Sequence, residues 1–406
     1  MFICWTKQIM NSINKLNDVD FLIQHAPYAV VSMDESHRIT IFNPVAEELF
    51  GYSKDEIIGE RIERLMPKEH GAGHHQHVEK FQKSKEERKS LNSRNVIYGR
   101  RKDDSLFPIR AGISKMHLDQ GMQFLAFIED YSEKAKMEEE LKHTFDQLYE
   151  KNKEITESIQ YAWRLQKAIF PRDKFVAKCF PDSYVLFKPK DIVAGDFYWM
   201  KQVKDHIVFA VADCTGHGVP GSMVSIVCNN ALNRVVVEQG IIDPGLVLNV
   251  VRDLIITEFE KSEEEVKDGM DVSFCTFNPE TNILKYSGAN NPAWLLRKDS
   301  DQIEILEPLK QPVGKFENPL YFTTTQVKVT SGDRLYLFSD GYADQFGGEG
   351  TKPHGKKFKS SNFKKLLIAT RELSMEEQKS RIDATIEEWR GSMEQIDDIC
   401  VMGINF

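Results

Sequence analysis

Five aspartates, at four places in the sequence, stand where a carboxylate can be aimed rather than merely exposed. Asp196 lies in Gly195-Asp196-Phe197-Tyr198-Trp199, ahead of an aromatic run. Asp213 follows the apolar run Ile207–Val211 and opens Asp213-Cys214-Thr215-Gly216-His217-Gly218. Asp340 follows Leu335–Phe338 in Ser339-Asp340-Gly341, and Asp397-Asp398 immediately precedes the run Ile399–Phe406. Asp, shorter than Glu, keeps its oxygens close to the backbone, and a neighbouring Gly lets the chain turn sharply. If these ends converge, the carboxylates cannot all ionise at neutral pH without a compensating cation. Hard oxygen ligands without His or Cys suit Mg²⁺ or Mn²⁺ rather than zinc. A pair of such ions about 3.5–4 Å apart, bridged by one carboxylate, would generate hydroxide for in-line attack on phosphorus. Any one Asp-Gly at a strand end is an ordinary turn signal. The weight rests on the ordered set: Asp-x-x-Gly-His-Gly, then Ser-Asp-Gly, then Asp-Asp.

The elements that must position these groups are apolar runs that read as buried strands. They fall in the last of three regions of different texture. The first, residues 18–132, mixes short strands (Ala29–Met33, Ile39–Phe42, Phe124–Ile128) with helical stretches and a His-rich patch at His70–His77. The second, 133–170, carries apolar residues at Leu141, Leu148, Ile155, Ala162 and Ile169, a strict seven-residue step. That is a long amphipathic helix, read as one strand of a coiled coil because a narrow apolar seam must be buried somewhere. A single solvated connector held by Glu/Lys pairs is the plainer reading. The third region is 171–406.

The 406 residues carry 62 acidic and 53 basic side chains, a net charge of −9, which argues against a nucleic-acid binder. With 41% hydrophobic and 10% aromatic residues the chain can build real cores. Charged residues break every apolar run well short of the ~18 needed to cross a bilayer, so no membrane partner is expected. The start lacks the features of a secretory signal. Six scattered cysteines without a C-x-x-C pair suggest neither zinc ribbon nor disulfide framework, and a cytoplasmic location is expected.

Residues 171–406 resemble the stage II sporulation protein E (SpoIIE) type serine phosphatases, a bacterial branch of the metal-dependent protein phosphatases. The segments carrying the resemblance, in family order, are FKPKDIVAGDFYW, VADCTGHGVPGSMVS, DGMDVSFCTF, YSGANNPAWLL, QPVGKF, LYLFSDGYADQFGG and DDICVMGI. The resemblance implies an αββα sandwich with two Mn²⁺ or Mg²⁺ ions at one edge. It implies that Asp213 bridges the ions and that the Cys214 carbonyl and Asp196 serve the second. Asp340 and Asp397 would complete the shell of the first. Asp398 is adjacent to the site, and His217 and Asn290 are near it. His217 could meet substrate phosphate or simply make a structural hydrogen bond, and Asn290 could serve a turn. A metal-bridged water would attack phosphoserine or phosphothreonine with no phosphoenzyme. The substrate implied is a phosphorylated regulatory protein, often an anti-sigma-factor antagonist. Gly216-x-Gly218-x-x-Gly221 also fits a dinucleotide fingerprint, but no second βαβ half follows it.

Residues 18–132 resemble a PAS sensor domain, in His25–Asp34, Ile39–Tyr52, Leu65-Met66-Pro67, Gly99–Ile109 and Phe127–Asp130. Its ligand is not specified by the sequence. His74 falls where haem-binding PAS oxygen sensors carry their proximal histidine, although the same pattern occurs in PAS domains without haem. His70, His74, His75 and His77 could equally form a solvated helix face, or a metal site at i, i+3 from His74 and His77. The fold class expected is therefore α+β: PAS fold, coiled-coil helix, αββα sandwich. The function expected is a signal-regulated, homodimeric serine/threonine phosphatase. Its rivals are a catalytically silent phosphoprotein-binding scaffold of the same fold and, through His143, a sensor kinase.

Overall fold

The computed structural model describes residues 20–90, 97–118, 121–260, 268–348 and 355–406. Contacts divide the chain into two units, separated between Lys151 and Asn152.

The first unit opens with β1 (Ala29–Asp34), β2 (Ile39–Phe42), α1 (Pro44–Phe50) and α2 (Lys54–Ile57). Asn43 shows why α1 begins where it does. Its Oδ1 accepts the Ala46 amide at 3.0 Å and the Val30 amide at 2.8 Å, capping the helix and pinning it to β1. Pro44 fills the first helical turn, and Gly51, at φ +77°, ends the helix in the left-handed region. A 3₁₀ turn (Ile62–Leu65), α3 (Lys68–Lys83), β3 (Arg88–Ser90), β4 (Ile97–Arg100), β5 (Leu106–Leu118) and β6 (Gly121–Asp130) complete the module. The sheet order is β2-β1-β6-β5-β3, with β4 also on β5, and every pairing is antiparallel. Helices and sheet enclose a cavity of about 860 Å³ lined by Val31, Met33, Phe50, Ile109 and Phe124, with His74 at its wall.

The expected long helix is α4, Ser132–Ile169. Among the seam residues, Leu141, Leu148 and Ile155 are 71%, 58% and 56% exposed, so this chain alone leaves the stripe uncovered. Gln166 breaks the pattern, being the one helix residue buried almost completely.

The second unit runs α5 (Asp173–Cys179), β7 (Ser183–Lys188), β8 (Phe197–Val203), β9 (His206–Cys214), α6 (Gly218–Asn233), α7 (Pro244–Phe259) and β10 (Gly269–Asn278). It continues with β11 (Ile283–Ala289), β12 (Ala293–Leu296), β13 (Ile303–Leu306), β14 (Val313–Gly314), β15 (Thr325–Lys328) and β16 (Arg334–Phe338). Then come α8 (Gly341–Asp344), a short hairpin of β17 (Phe346–Gly347) and β18 (Lys356–Lys357), α9 (Ser360–Ala369), α10 (Met375–Arg390) and β19 (Ile399–Asn405). One antiparallel sheet has the order β15-β11-β10-β9-β8, the other β13-β12-β16-β19-β7.

Between the sheets lies a dry core that includes Phe209, Val211, Tyr286, Leu295, Leu337 and Met402. Outside the first sheet, Val208, Ala210 and Ala212 pack on α6 and α7. Outside the second, Trp294, Tyr336 and Phe338 pack on α9 and α10. Each central strand is thus buried on both faces, which is why β9 reads as an unbroken apolar run rather than an alternating one. The four layers are the expected αββα sandwich.

Candidate active site

Strand register carries the aspartates to one edge of the sandwich. Phe197 pairs with Ala212, and Asp271 pairs directly with Asp213, so the start of β8, the end of β9 and the start of β10 lie side by side. In the other sheet, Phe338 pairs with Val401, which sets Asp340 beside Asp397 and Asp398. Glycines let these backbones approach. A side chain on Gly341 would run into the Asp398 carbonyl, and one on Gly195 into the Gly216 carbonyl, with the Cys214 carbonyl 3.2 Å away.

Asp398 ties the two edges together. Its Oδ1 accepts the Lys190 amide at 2.7 Å, and its Oδ2 accepts the amide of Gly195 at 2.7 Å and, more weakly, that of Asp196 at 3.5 Å. The residue is buried, and burial raises its pKa against the pull of those three amides. It is therefore a clamp on the loop that presents Asp196. A second clamp comes from α4. Gln166 donates to the Ala194 carbonyl at 2.6 Å and to Ser225 Oγ at 3.0 Å, and accepts the Ala194 amide at 3.1 Å. Ser339 bonds to Asp196 from the second sheet.

The electrostatics record how closely the carboxylates are gathered. Burial, then the charge of Asp213, pushes the Asp196 carboxyl far above the ordinary range, and Asp398 and Asp397 add to it. Asp213 is raised in the same way, by burial and then by the charges of Asp340, Asp397 and Asp271. Asp340 opens to solvent at the rim, yet the protein packed around it and the Asp397 charge lift its pKa to about 6. Asp196 Oδ2 is fully buried and has no hydrogen-bond partner. Among the described residues, no three of these carboxylates come within 4.8 Å of one another. They spread over a pocket, as like charges do.

Asp196, Asp213, Asp340 and Asp397 are thus brought into one neighbourhood, with the Cys214 carbonyl beside the Asp196 loop. Cys214 buries its thiol against Cys228 in the helix-side core. Asn290, at φ +54°, donates from Nδ2 to Asp271 Oδ1 at 2.8 Å, whereas Asn291 uses its carbonyl to accept the Tyr286 hydroxyl. His217 occupies the N-cap position of α6 at the exposed rim without bonding the helix, its Nδ1 3.0 Å from Asp191 and its Nε2 3.2 Å from Lys190 Nζ. His143 lies on the exposed surface of α4 beside Gln147. Two residues escaped the sequence reading. Asp271 is raised by burial, with Asn290 and Lys310 opposing, and it lies in a strand whose neighbours are buried. Gln166 left no signal beyond interrupting a seam.

The donor set is all oxygen, and a buried, unpartnered carboxylate oxygen among raised carboxyls is what a hard divalent cation would satisfy. Asp196, Asp213, Asp340, Asp397 and the Cys214 carbonyl could hold such ions.

Comparison with known proteins agrees with this geometry. The SiaA-PP2C domain of Pseudomonas aeruginosa superposes with a TM-score of 0.56 at 28% identity, covering 63% of this chain and 98% of that one. Sensor protein FixL of Bradyrhizobium diazoefficiens is 26% identical over 112 residues, 28% of this chain and 22% of its own length. Oxygen sensor protein DosP of Escherichia coli is 29% identical over 102 residues, 25% of this chain and 13% of its own. Residues 27–133 match the PAS domain model, and residues 204–406, half the chain, match the model of stage II sporulation protein E. The chain is therefore a member of the SpoIIE family that carries a PAS domain ahead of its phosphatase-type fold.

Proposed function

We propose that this chain is a signal-regulated, metal-dependent protein serine/threonine phosphatase acting on a phosphorylated regulatory protein. The observation that carries the reading is Asp196: a carboxylate 2% exposed, with one oxygen unpartnered, set among Asp213, Asp397 and Asp398. Packing alone gives no reason to gather anions there, since each raises the cost of ionising the next. Bound Mn²⁺ or Mg²⁺ would neutralise the cluster and polarise water for attack on phosphorus.

The chain's own groups do the rest. Asp398 and Gln166 hold the loop that aims Asp196. Asn290 orients Asp271. Lys190 and His217 stand together at the rim, where a phosphate-bearing side chain would approach, and a cation there favours the dianion. The PAS cavity would take the signal, with His74 the residue a haem would use were haem that signal. The uncovered α4 seam would pair with a second copy to form a homodimer. An anti-sigma-factor antagonist is the regulatory substrate that the family resemblance favours.

Mn²⁺-dependent phosphate release from p-nitrophenyl phosphate tests the reading against a silent scaffold. Wild type should turn over, and Asp213→Asn should lose at least about 10³-fold, the scale of losing a principal electrostatic stabiliser. Equal rates in the two proteins, or none in either, reject it.

A further inference from the structure

The first unit holds a second cluster of donors, built from three separate elements and unrelated to the aspartates. His37 comes from the turn between β1 and β2, Glu63 from the 3₁₀ turn and His74 from α3. One ligand atom from each lies within 4.8 Å of the others. Glu63 Oε1 stands 3.4 Å from His37 Nδ1 and 3.6 Å from His74 Nδ1. Charge-assisted N–H···O⁻ bonds close to about 2.7–2.9 Å, so both separations are long for ion-paired hydrogen bonds. They do suit ligands of one tetrahedral ion: bonds of about 2.0–2.1 Å place neighbouring donors about 3.3–3.5 Å apart.

The atoms are also prepared for a ligand. His37 is 95% buried as a residue. Glu63 Oε2 and His74 Nδ1 are buried with no hydrogen-bond partner. Burial lowers the His74 pKa against the opposing charge of Glu63, which favours the neutral form of the ring that a metal ion takes. Burial raises the Glu63 carboxyl, but its own amide, His37 and His74 together bring it below the ordinary range. His37 has its other nitrogen engaged, Nε2 lying 3.3 Å from His75 Nδ1, and His75 Nε2 faces Glu79 at 3.4 Å. An imidazole ligand backed by an outer partner in this way is held in a fixed orientation.

We propose that His37, Glu63 and His74 bind a divalent first-row transition ion, with the fourth position open. Two imidazoles and one carboxylate discriminate against Mg²⁺ and Mn²⁺ and favour zinc and its later neighbours. The site differs from the His74–His77 pairing that helix spacing suggests, because His74 turns toward Glu63 and His37.

The test uses the full-length protein, stripped with a chelator and kept in excess Mg²⁺ to occupy hard oxygen sites. Zn²⁺ is titrated against a chromophoric chelator, and Co²⁺ is added separately to read the visible ligand-field bands of a four-coordinate site. Wild type and Asp213→Asn should both bind one tight Zn²⁺ and both show the Co²⁺ bands. Glu63→Gln, which keeps the side chain's shape, and the pair His37→Asn/His74→Asn should bind more than about 10-fold more weakly and lose the bands. Circular dichroism checks that each variant folds. If the double variant unfolds, Glu63→Gln decides. Tight zinc retained in Glu63→Gln, zinc lost only in Asp213→Asn, or no zinc and no bands in wild type would each overturn the assignment.

Discussion

Gln166→Met isolates the contact between the long helix and the proposed catalytic edge. Methionine matches glutamine in length and helix propensity, so the change removes polarity and little else. Three hydrogen bonds disappear: two from Gln166 to Ala194 O and Ser225 Oγ, and one from the Ala194 amide. Ser225 keeps its bond to the Ser222 carbonyl at 2.8 Å. The Ala194 amide and carbonyl, on a residue 0% exposed, lose these partners, for which no replacement is in place. Leaving two buried backbone groups unpaired costs about 2–4 kcal/mol after partial relaxation. Asp196 is only two residues on. If about 2 kcal/mol of that falls on its placement at the moment of reaction, kcat drops about 30-fold. The assay is Mn²⁺-dependent turnover of p-nitrophenyl phosphate well below the unfolding midpoint, with the exposed Gln160→Met as control. A purely structural glutamine would lower the melting temperature and leave kcat alone. A Gln166→Met enzyme that melts early but turns over within twofold of wild type would therefore refute the coupling.

The metal-free protein should gain stability from this cluster as pH falls from about 7 toward 5. The folded-state pKa of Asp340 is about 6 against 3.8, so the folded form binds the extra proton in that window, and the raised Asp196, Asp213 and Asp271 act in the same direction. Denaturant midpoints in chelator check it, and a midpoint that falls steadily over that range contradicts it. Replacing Leu141, Leu148 and Ile155 by Asp should convert a dimer to a monomer by light scattering while both units keep their fold; a wild type already monomeric at micromolar concentration removes the coiled-coil pairing.

Legibility in the sequence followed the range of the forces involved. Asp213 and Asp340 could be read because each sits where an apolar run stops and a glycine turn begins, a signal contained in a few consecutive residues. The cap of α1 is local in the same way, since Asn43 and Pro44 supply it within two consecutive residues. Asp271 could not be read, because nothing within Gly269–Asn278 distinguishes it from an outward-facing strand residue. Only its register opposite Asp213 makes it part of the cluster, and register is settled by which faces of two distant strands must be buried together. Gln166 looked like one more polar residue on a helix rich in Glu and Lys. Its burial is imposed by Ala194 and Ser225, 28 and 59 residues away. The histidines make the same point from the opposite side. Helix periodicity paired His74 with His77, and the tertiary structure pairs it with Glu63 and His37 instead. Chain turns and helix caps are decided locally, so they can be seen in a single sequence. The residues that complete or position a site answer to partners far along the chain, and their chemistry becomes visible only once the strands and helices are assembled.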